Sequence, residues 1–255
     1  MTIKKYSNEY IIQQNTQLTL FDGDNITDDD LNHISANFQR LKYLYIKSSR
    51  ITNNGLSTLY QLTNLTHLQI HSKLITFSGL IPLVILKHLT YLDIDSLGGE
   101  LNTRGMQIIG DFKYLTFLKL NCINLNTYFY DDTGYIIYID NSIFTYISKL
   151  KNLESLEIIN TCQADISYLK DLPKLTKLSF HHIDDSSLFY ISTQFKTLID
   201  LVLIDNNITI TGINHFKNFT NLKNVLLVPC KLFTTEEKSM LDSLPILFKI
   251  VYPLL

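Results

Sequence analysis

The chain has 255 residues, of which 45% are hydrophobic, with 22 Lys and Arg against 24 Asp and Glu. This composition excludes general disorder, because the chain has enough apolar side chains for a large core. The near-neutral net charge argues against nucleic acid and anionic membrane surfaces as partners, because both attract strongly basic proteins. Three cysteines are too few for a disulfide framework.

The N-terminal residues lack the apolar segment of a signal peptide. The most hydrophobic stretch, Leu80–Leu86, is far shorter than a membrane span. The sequence therefore predicts a cytoplasmic protein with reduced cysteines. If the chain is secreted into a host by a pathogen as an effector, the same prediction applies to the host cell.

A six-residue motif with apolar residues at its first, fourth and sixth positions recurs along the chain. Successive first leucines from Leu41 to Leu247 are separated by 24, 24, 26, 38, 22, 23, 24 and 25 residues. The copies are Asn15–Leu20 in degenerate form, Leu41–Ile46, Leu65–Ile70, Leu89–Ile94, Leu115–Leu120, Leu153–Ile158, Leu175–Phe180, Leu198–Leu203, Leu222–Leu227 and Leu247–Tyr252.

The spacing of the motif predicts a strand followed by a helix. Alternate residues of a strand share a face, so the fourth and sixth positions should point into a core and the third, fifth and seventh outward. The stretch from Thr52 to Leu62 has apolar residues three apart, as on one helix face. Thr52 is a suitable N-cap, Thr234 and Glu237 have capping-box spacing, and Asp28–Asp30 suits a helix N-terminus.

The ten copies, over about residues 15–252, resemble leucine-rich repeats. The step Ile51–Leu56, with Thr and Gly at fixed places, resembles the ribonuclease-inhibitor and cysteine-containing subclasses. The resemblance implies an α/β solenoid, or horseshoe, with about ten parallel strands on the concave face and helices on the convex face. We expect one domain over 1–255, with caps at 1–14 and 247–255 and an insertion at 126–141.

Two features depart from the family pattern. Leucine-rich repeats usually carry Asn or Cys three residues after the last strand leucine, whereas this chain has Ser49, Lys73 and Leu97 at three such sites. We therefore expect a broken ladder between coils. Only about 14 residues precede the first repeat, which we expect to leave no room for the F-box of a ubiquitin-ligase substrate receptor.

Aromatic and charged residues dominate the outward positions of the first half. Such a mixture is typical of a protein-binding hot spot, although aromatic residues also suit exposed strand surfaces for purely structural reasons. The predicted partner-binding residues on these strands are Tyr43, Tyr45, His67, His71, Tyr91, Asp93, Asp95, Phe117 and Lys119.

The 38-residue interval holds a 14-residue insertion. Its aromatic segments flank Asp131–Gly134, which predicts a β-hairpin. Insertions in solenoids often mark the binding face. The alternative is that this insertion packs on the convex side and takes no part in binding. The predicted contact residues of the insertion are Tyr128, Phe129, Tyr130, Tyr135 and Tyr138.

The outward positions near the C-terminus are apolar, at Val202, Ile204, Leu226, Val228 and Val251. A contiguous apolar surface indicates a covering tail, a partner or self-association. The alternative is a local shift of register that buries these residues.

The sequence gives only weak signals for a metal site or a catalytic site. His67, His71, Asp93 and Asp95 lie on adjacent predicted strands and are metal-ligating types, but solvated polar residues are the favoured interpretation. Cys122, Cys162 and Cys230 follow strands and are expected to be buried turn residues, and His181-His182 matches no catalytic spacing.

We therefore predict a non-catalytic scaffold that binds a protein through the concave face and the insertion, without a cofactor, a metal site or nucleic acid. The alternatives are a pathogen or viral effector that mimics host leucine-rich-repeat proteins, or a substrate receptor of a ubiquitin ligase.

Overall fold

A computed structural model describes residues 16–20, 26–95, 103–121, 129–130, 136–137, 141–159 and 166–252. The chain forms two compact units, Met1–Asn121 and Cys122–Leu255. The predicted single domain over 1–255 stays a prediction. The predicted cap at 1–14 lies outside the described residues, as does the end of the 247–255 cap.

Strands and helices alternate through the first unit. Its five strands are parallel and follow chain order, each in register with the next. In chain order the elements are β1 (Gln17–Leu20), α1 (Asp28–Asn37), β2 (Tyr43–Lys47), α2 (Asn53–Ser57), a 3-10 helix (Thr58–Gln61), β3 (His67–His71), a 3-10 helix (Phe77–Ile85), β4 (Tyr91–Asp95), α3 (Thr103–Gly110) and β5 (Phe117–Asn121).

The second unit repeats this alternation after a short antiparallel pair. The elements are β6 (Phe129–Tyr130), β7 (Ile136–Ile137), a 3-10 helix (Asn141–Lys149), β8 (Ser155–Ile159), a 3-10 helix (Ile166–Tyr168), β9 (Lys177–His181), α4 (Asp185–Gln194), β10 (Asp200–Asn206), α5 (Ile210–His215), a 3-10 helix (Phe216–Asn218), β11 (Asn224–Pro229), α6 (Thr235–Asp242) and β12 (Leu247–Ile250). Strands β8 to β12 are parallel and adjacent in chain order.

The motif register is confirmed by burial. Leu44 and Ile46 of β2 are buried, whereas Tyr43, Tyr45 and Lys47 are exposed or half-buried. The same alternation holds in β3, β4, β5 and β8. The predicted fold class is confirmed, because ten parallel strands in chain order are joined through helices.

Glycine in the Thr-x-x-Gly step makes room for a hydrogen-bonded link between successive helices. The first helical residue of one repeat, Asp28, accepts hydrogen bonds from the backbone N–H and the hydroxyl of Thr52, at 2.8 and 2.6 Å. A Cβ on Gly55 would overlap the Asp28 carboxylate. Asp185, Thr209 and Gly212 repeat the arrangement in the second unit. The link joins the first residue of one helix to the N-cap of the next helix in the stack.

The expected break in the ladder between coils is partly wrong. Ser48 and Ser72, one position before the sites at Ser49 and Lys73, are both buried. The Ser48 hydroxyl accepts a hydrogen bond from the N–H of Arg50 and donates to the Ile26 carbonyl at 3.4 Å. Ser72 likewise donates to the Ile51 carbonyl. At these two repeats a serine hydroxyl, one position before the family's amide site, makes the hydrogen bond to the preceding coil.

The predicted frame of the last repeat is wrong. Leu247 pairs with Asn224, which occupies the third motif position, so Leu247 is 71% exposed instead of buried as a leading leucine. Phe248 and Ile250 then align with the buried positions Val225 and Leu227. The frame is shifted by two residues, an even number, and the outward positions of Lys249 and Val251 are therefore unchanged.

Candidate functional site

The outward residues of β2 to β5 form three rows, because parallel strands in register place equivalent side chains side by side about 4.8 Å apart. The aromatic row contains the third-position residues Tyr43, His67, Tyr91 and Phe117. Their ring centroids are separated by 4.3, 5.0 and 4.0 Å in turn, and Tyr91 and Phe117 are parallel within 2°. These rings make one continuous stack.

The middle row consists of the fifth-position residues Tyr45, Gln69, Asp93 and Lys119. The Gln69 side-chain N–H donates to Asp93 Oδ2 at 3.2 Å and to the Tyr91 hydroxyl at 3.3 Å, which connects this row to the aromatic row. Lys119 Nζ lies 3.9 Å from Asp93 Oδ2. The other oxygen, Asp93 Oδ1, is buried and accepts no hydrogen bond from the described residues.

The third row contains the seventh-position residues, which lie two residues further along each strand than the middle row. His71 Nδ1 is 2.9 Å from Asp95 Oδ2, and the Asn121 side-chain N–H donates to Asp95 Oδ1 at 2.6 Å. Asp95 thus accepts from both neighbouring strands. Hydrogen bonds between strands therefore hold the charged side chains in place.

Burial perturbs the ionisable groups of this surface. The pKa of Asp93 is raised, chiefly by desolvation, although Lys119 opposes the shift. Desolvation also raises the pKa of Tyr45, helped by the nearby charges of Asp95 and Asp93, and lowers the pKa of His67. In each case burial favours the neutral form.

The structure distributes the four residues considered as metal ligands over different rows. His67 belongs to the aromatic stack, Asp93 to the middle row, and His71 and Asp95 pair in the third row. A shallow depression of about 130 Å³ lies beside them, lined by residues of β1 to β4 such as Gln17, Tyr45 and Gln69. Its polar and aromatic lining suits a protruding side chain of a partner.

Among the residues predicted on the insertion, Phe129 and Tyr130 form strand β6, which pairs antiparallel with Ile137 and Ile136 of β7. The predicted hairpin is therefore present. Tyr128, Tyr135 and Tyr138 lie outside the described residues.

The apolar outward residues of the second unit are half-buried at Val202, Ile204, Leu226 and Val228. The alternative of a register shift is wrong for them, because β10 and β11 pair in register from Asp200 to Ile204. These four residues form the apolar patch, a surface that neighbouring strands cover only in part.

Two expectations at the strand ends are wrong. Cys230 is exposed, because it follows β11 in the loop that leaves the strand. His181 occupies the seventh position of the Leu175–Phe180 copy, which was predicted to face outward, but it is only 8% exposed, and its Nδ1 lies 4.0 Å from Asp205 Oδ2. Sequence reasoning missed the grouping of His181, His182 and Asp205, although β9 and β10 are adjacent strands, because strand alternation predicts that His181 and His182 face opposite ways. Desolvation lowers the pKa of His181, against the opposing charge of Asp205.

No protein-family model matches the chain, and no curated protein matches it. Among solved structures, internalin C2 from Listeria monocytogenes is 24% identical with a TM-score of 0.56, covering 82% of this chain and 79% of that one. The TLR13–ssRNA13 complex is 19% identical with a TM-score of 0.51, covering 90% of this chain and 31% of that one. Both are leucine-rich-repeat proteins.

This chain has the leucine-rich-repeat fold. The subclass resemblance at Ile51–Leu56 remains a prediction. No helix in the described parts of the chain combines the length and the apolar composition needed to traverse a bilayer.

Proposed function

We propose that this leucine-rich-repeat protein is a non-catalytic scaffold that binds a protein partner through the outward face of β2 to β5. The observation that supports it is the stack from Tyr43 to Phe117, next to the row containing Asp93. Stacked rings are already ordered, so they lose little conformational freedom on binding. Aromatic anchors beside hydrogen-bonded charges are the composition of interface hot spots.

The purely structural explanation of these aromatic residues accounts for the stacking but not for the neighbouring charges. Asp93 is desolvated, and its Oδ1 accepts no hydrogen bond from the described residues. A burial cost of this kind is unfavourable for folding alone. A surface selected for binding tolerates such a cost, and this favours the binding function.

The test is truncation of two tyrosines that lie outside the buried core. Tyr45→Ala with Tyr91→Ala should weaken partner binding by about 30-fold or more, equivalent to about 2 kcal/mol, if the pair lies in a hot spot. Loss of the Tyr91 stacking should cost about 1 kcal/mol of folding stability per ring pair. The partner is first captured from cell extract by the unmodified protein, then purified for titration calorimetry.

The control variant is Tyr60→Ala with Tyr114→Ala, which removes two exposed tyrosines outside the strands. It should bind the partner normally. Equal binding by both double variants, each shown folded by circular dichroism, would contradict the proposed surface. Deletion of residues 126–141 tests the contribution of the hairpin separately. If only that deletion or substitution of Leu226 weakens binding, the insertion or the apolar patch is the site.

The effector and substrate-receptor alternatives use the same kind of surface and differ in the partner. Capture of a host protein by a pathogen-encoded chain would support the effector role, and capture of a ubiquitin-ligase subunit would support the receptor role. The possible self-association through Val202, Ile204, Leu226 and Val228 is measured by sedimentation of the purified chain. Leu226→Asp should abolish any dimer that this patch forms.

We also propose that the protein works in a reducing, intracellular compartment. Free-thiol titration of denatured protein without reductant should then detect all three cysteines. Cys230 is a free, exposed thiol in the structure. A protected pair of cysteines would contradict this compartment.

A further inference from the structure

Three metal-ligating side chains meet at the ends of β9 and β10 in the second unit. The ligand atoms of His181, His182 and Asp205 all lie within 4.8 Å of one another. Among the described residues, no other group of three or more His, Cys, Asp or Glu side chains is this compact. The His181 ring is buried, Asp205 is half-buried and His182 is exposed, so the cluster has both a fixed side and an opening to solvent.

The backbone explains how two consecutive histidines share one site. In a regular strand, consecutive side chains point to opposite faces. His182 instead has φ 56° and Asp205 has φ 49°, both in the left-handed region. Two of the three non-glycine residues with positive φ among the described residues therefore belong to this cluster. The register between β10 and β11 also shifts at Ile204 and Asn206, around Asp205.

Left-handed backbone is disfavoured for residues with a Cβ, and such strain is concentrated at functional sites. Here the two left-handed residues are both potential ligands. The remaining one, Asp171, lies in a loop and belongs to no cluster of ligand side chains within the part of the chain that the structure describes. Asp and His tolerate this conformation, but that tolerance does not explain why two left-handed residues occur in the same cluster of potential ligands.

We propose that His181, His182 and Asp205 form a binding site for a borderline divalent cation of the Zn²⁺ class. Two imidazoles and one carboxylate are ligands that Zn²⁺ and Co²⁺ accept, and three protein ligands leave a position for water. Hard cations such as Mg²⁺ prefer an all-oxygen site. The cluster belongs to the second unit, whereas the proposed partner-binding residues on β2 to β5 belong to the first.

The distances fit a site that closes slightly on binding. Metal–ligand distances of about 2.0–2.1 Å imply that the ligand atoms of a tetrahedral site are about 3.3 Å apart. The present spread of up to 4.8 Å requires a shift of about 1.5 Å, which rotation of the exposed His182 and half-buried Asp205 side chains together can supply. His181 Nδ1 and Asp205 Oδ2 are already 4.0 Å apart. The rings of His181 and His182 are 6.1 Å apart at 66°, so they do not stack.

A comparison within the chain supports the assignment. His71 and Asp95 also pair across neighbouring strands, at 2.9 Å, but both strands are regular there and no third His, Cys, Asp or Glu of the described residues joins them. That pair is an ordinary hydrogen bond between strands. At His181 the third ligand is present because the backbone departs from strand geometry.

The test uses the full chain after removal of metal with a chelator. Calorimetric titration with Zn²⁺ should show one ion per chain, and Co²⁺ should give the visible absorption of a tetrahedral or five-coordinate site. His182→Asn and Asp205→Asn should each weaken binding at least about tenfold, because each removes a direct ligand or its charge. Asn tolerates the left-handed backbone at both positions, so both variants should fold.

The controls separate this site from other ligands. His88→Asn removes an exposed histidine elsewhere and Cys230→Ser removes the nearby thiol; both variants should bind the ion like the unmodified chain. Zn²⁺ should raise the melting temperature of the unmodified protein and of the controls, but not of His182→Asn. Equal uptake by all variants, uptake lost only in Cys230→Ser, or no uptake by the unmodified chain would each overturn the proposal.

Discussion

Replacing Leu118 or Leu156 by Asp should unfold the unit that contains it. Both side chains are fully buried at the fourth motif position, in β5 and β8 respectively. An isolated carboxylate there would lose its hydration without gaining a partner, and it would remain charged only at a cost of several kcal/mol. We expect a loss of more than about 4 kcal/mol, which is comparable with the whole stability of many domains.

The matched control is Ser155→Asp, which places the same charge on the outward side of β8. Ser155 is half-buried and pairs in register with Lys177, so a carboxylate there meets a cation. It should change stability by less than about 1 kcal/mol. Thermal melting followed by circular dichroism measures all three variants. Similar melting of Leu156→Asp and Ser155→Asp would show that the assigned inward and outward faces are wrong.

Gly212→Ala should destabilise the second unit by about 3 kcal/mol, although alanine is normally the better helix former. A Cβ at this position would overlap the Asp185 carboxylate and lie 2.7 Å from Ile208 Cγ2. Asp185 would have to move away from Thr209, whose N–H and hydroxyl both donate to it. Overpacking and the loss of two charge-assisted hydrogen bonds then act together.

A double-mutant cycle checks this mechanism. Asp185→Ala removes the carboxylate that the new methyl group would strike, so Gly212→Ala should cost much less in that background. Chemical denaturation gives the free energy of unfolding of each variant. Additive losses in the cycle would show that Gly212 is required for another reason. Gly55→Ala with Asp28→Ala repeats the experiment in the first unit, where Asp28, Thr52 and Gly55 form the same arrangement.

The repeat frame could be read from the sequence because local pattern and burial coincide. Leu44 and Ile46 recur with strand spacing, and a strand has only two faces, so the inward and outward sets follow from the pattern. The capping box of Thr234 and Glu237 was predictable for the same reason, since its partners are three residues apart. The frame failed at Leu247, because Phe248 and Ile250 have the same alternate spacing as the two buried positions of the motif and no leucine leads them at the expected place.

The candidate binding surface was predictable as a set of residues but not as an arrangement. Parallel pairing implies that Tyr43, His67, Tyr91 and Phe117 are neighbours, yet whether their rings stack depends on side-chain torsions. The shared hydrogen bonds of Asp95 also depend on three strands at once.

The sequence by itself determined the repeat and, for β2 to β5, the strand register and the outward residues, because these follow from contacts at regular spacing. Only the tertiary structure decided the cluster of His181, His182 and Asp205. Strand alternation predicts that His181 and His182 face opposite ways, and a bulge with left-handed residues reverses that prediction. Backbone conformations of this kind depend on how neighbouring strands and loops pack, and the local residue pattern does not encode them.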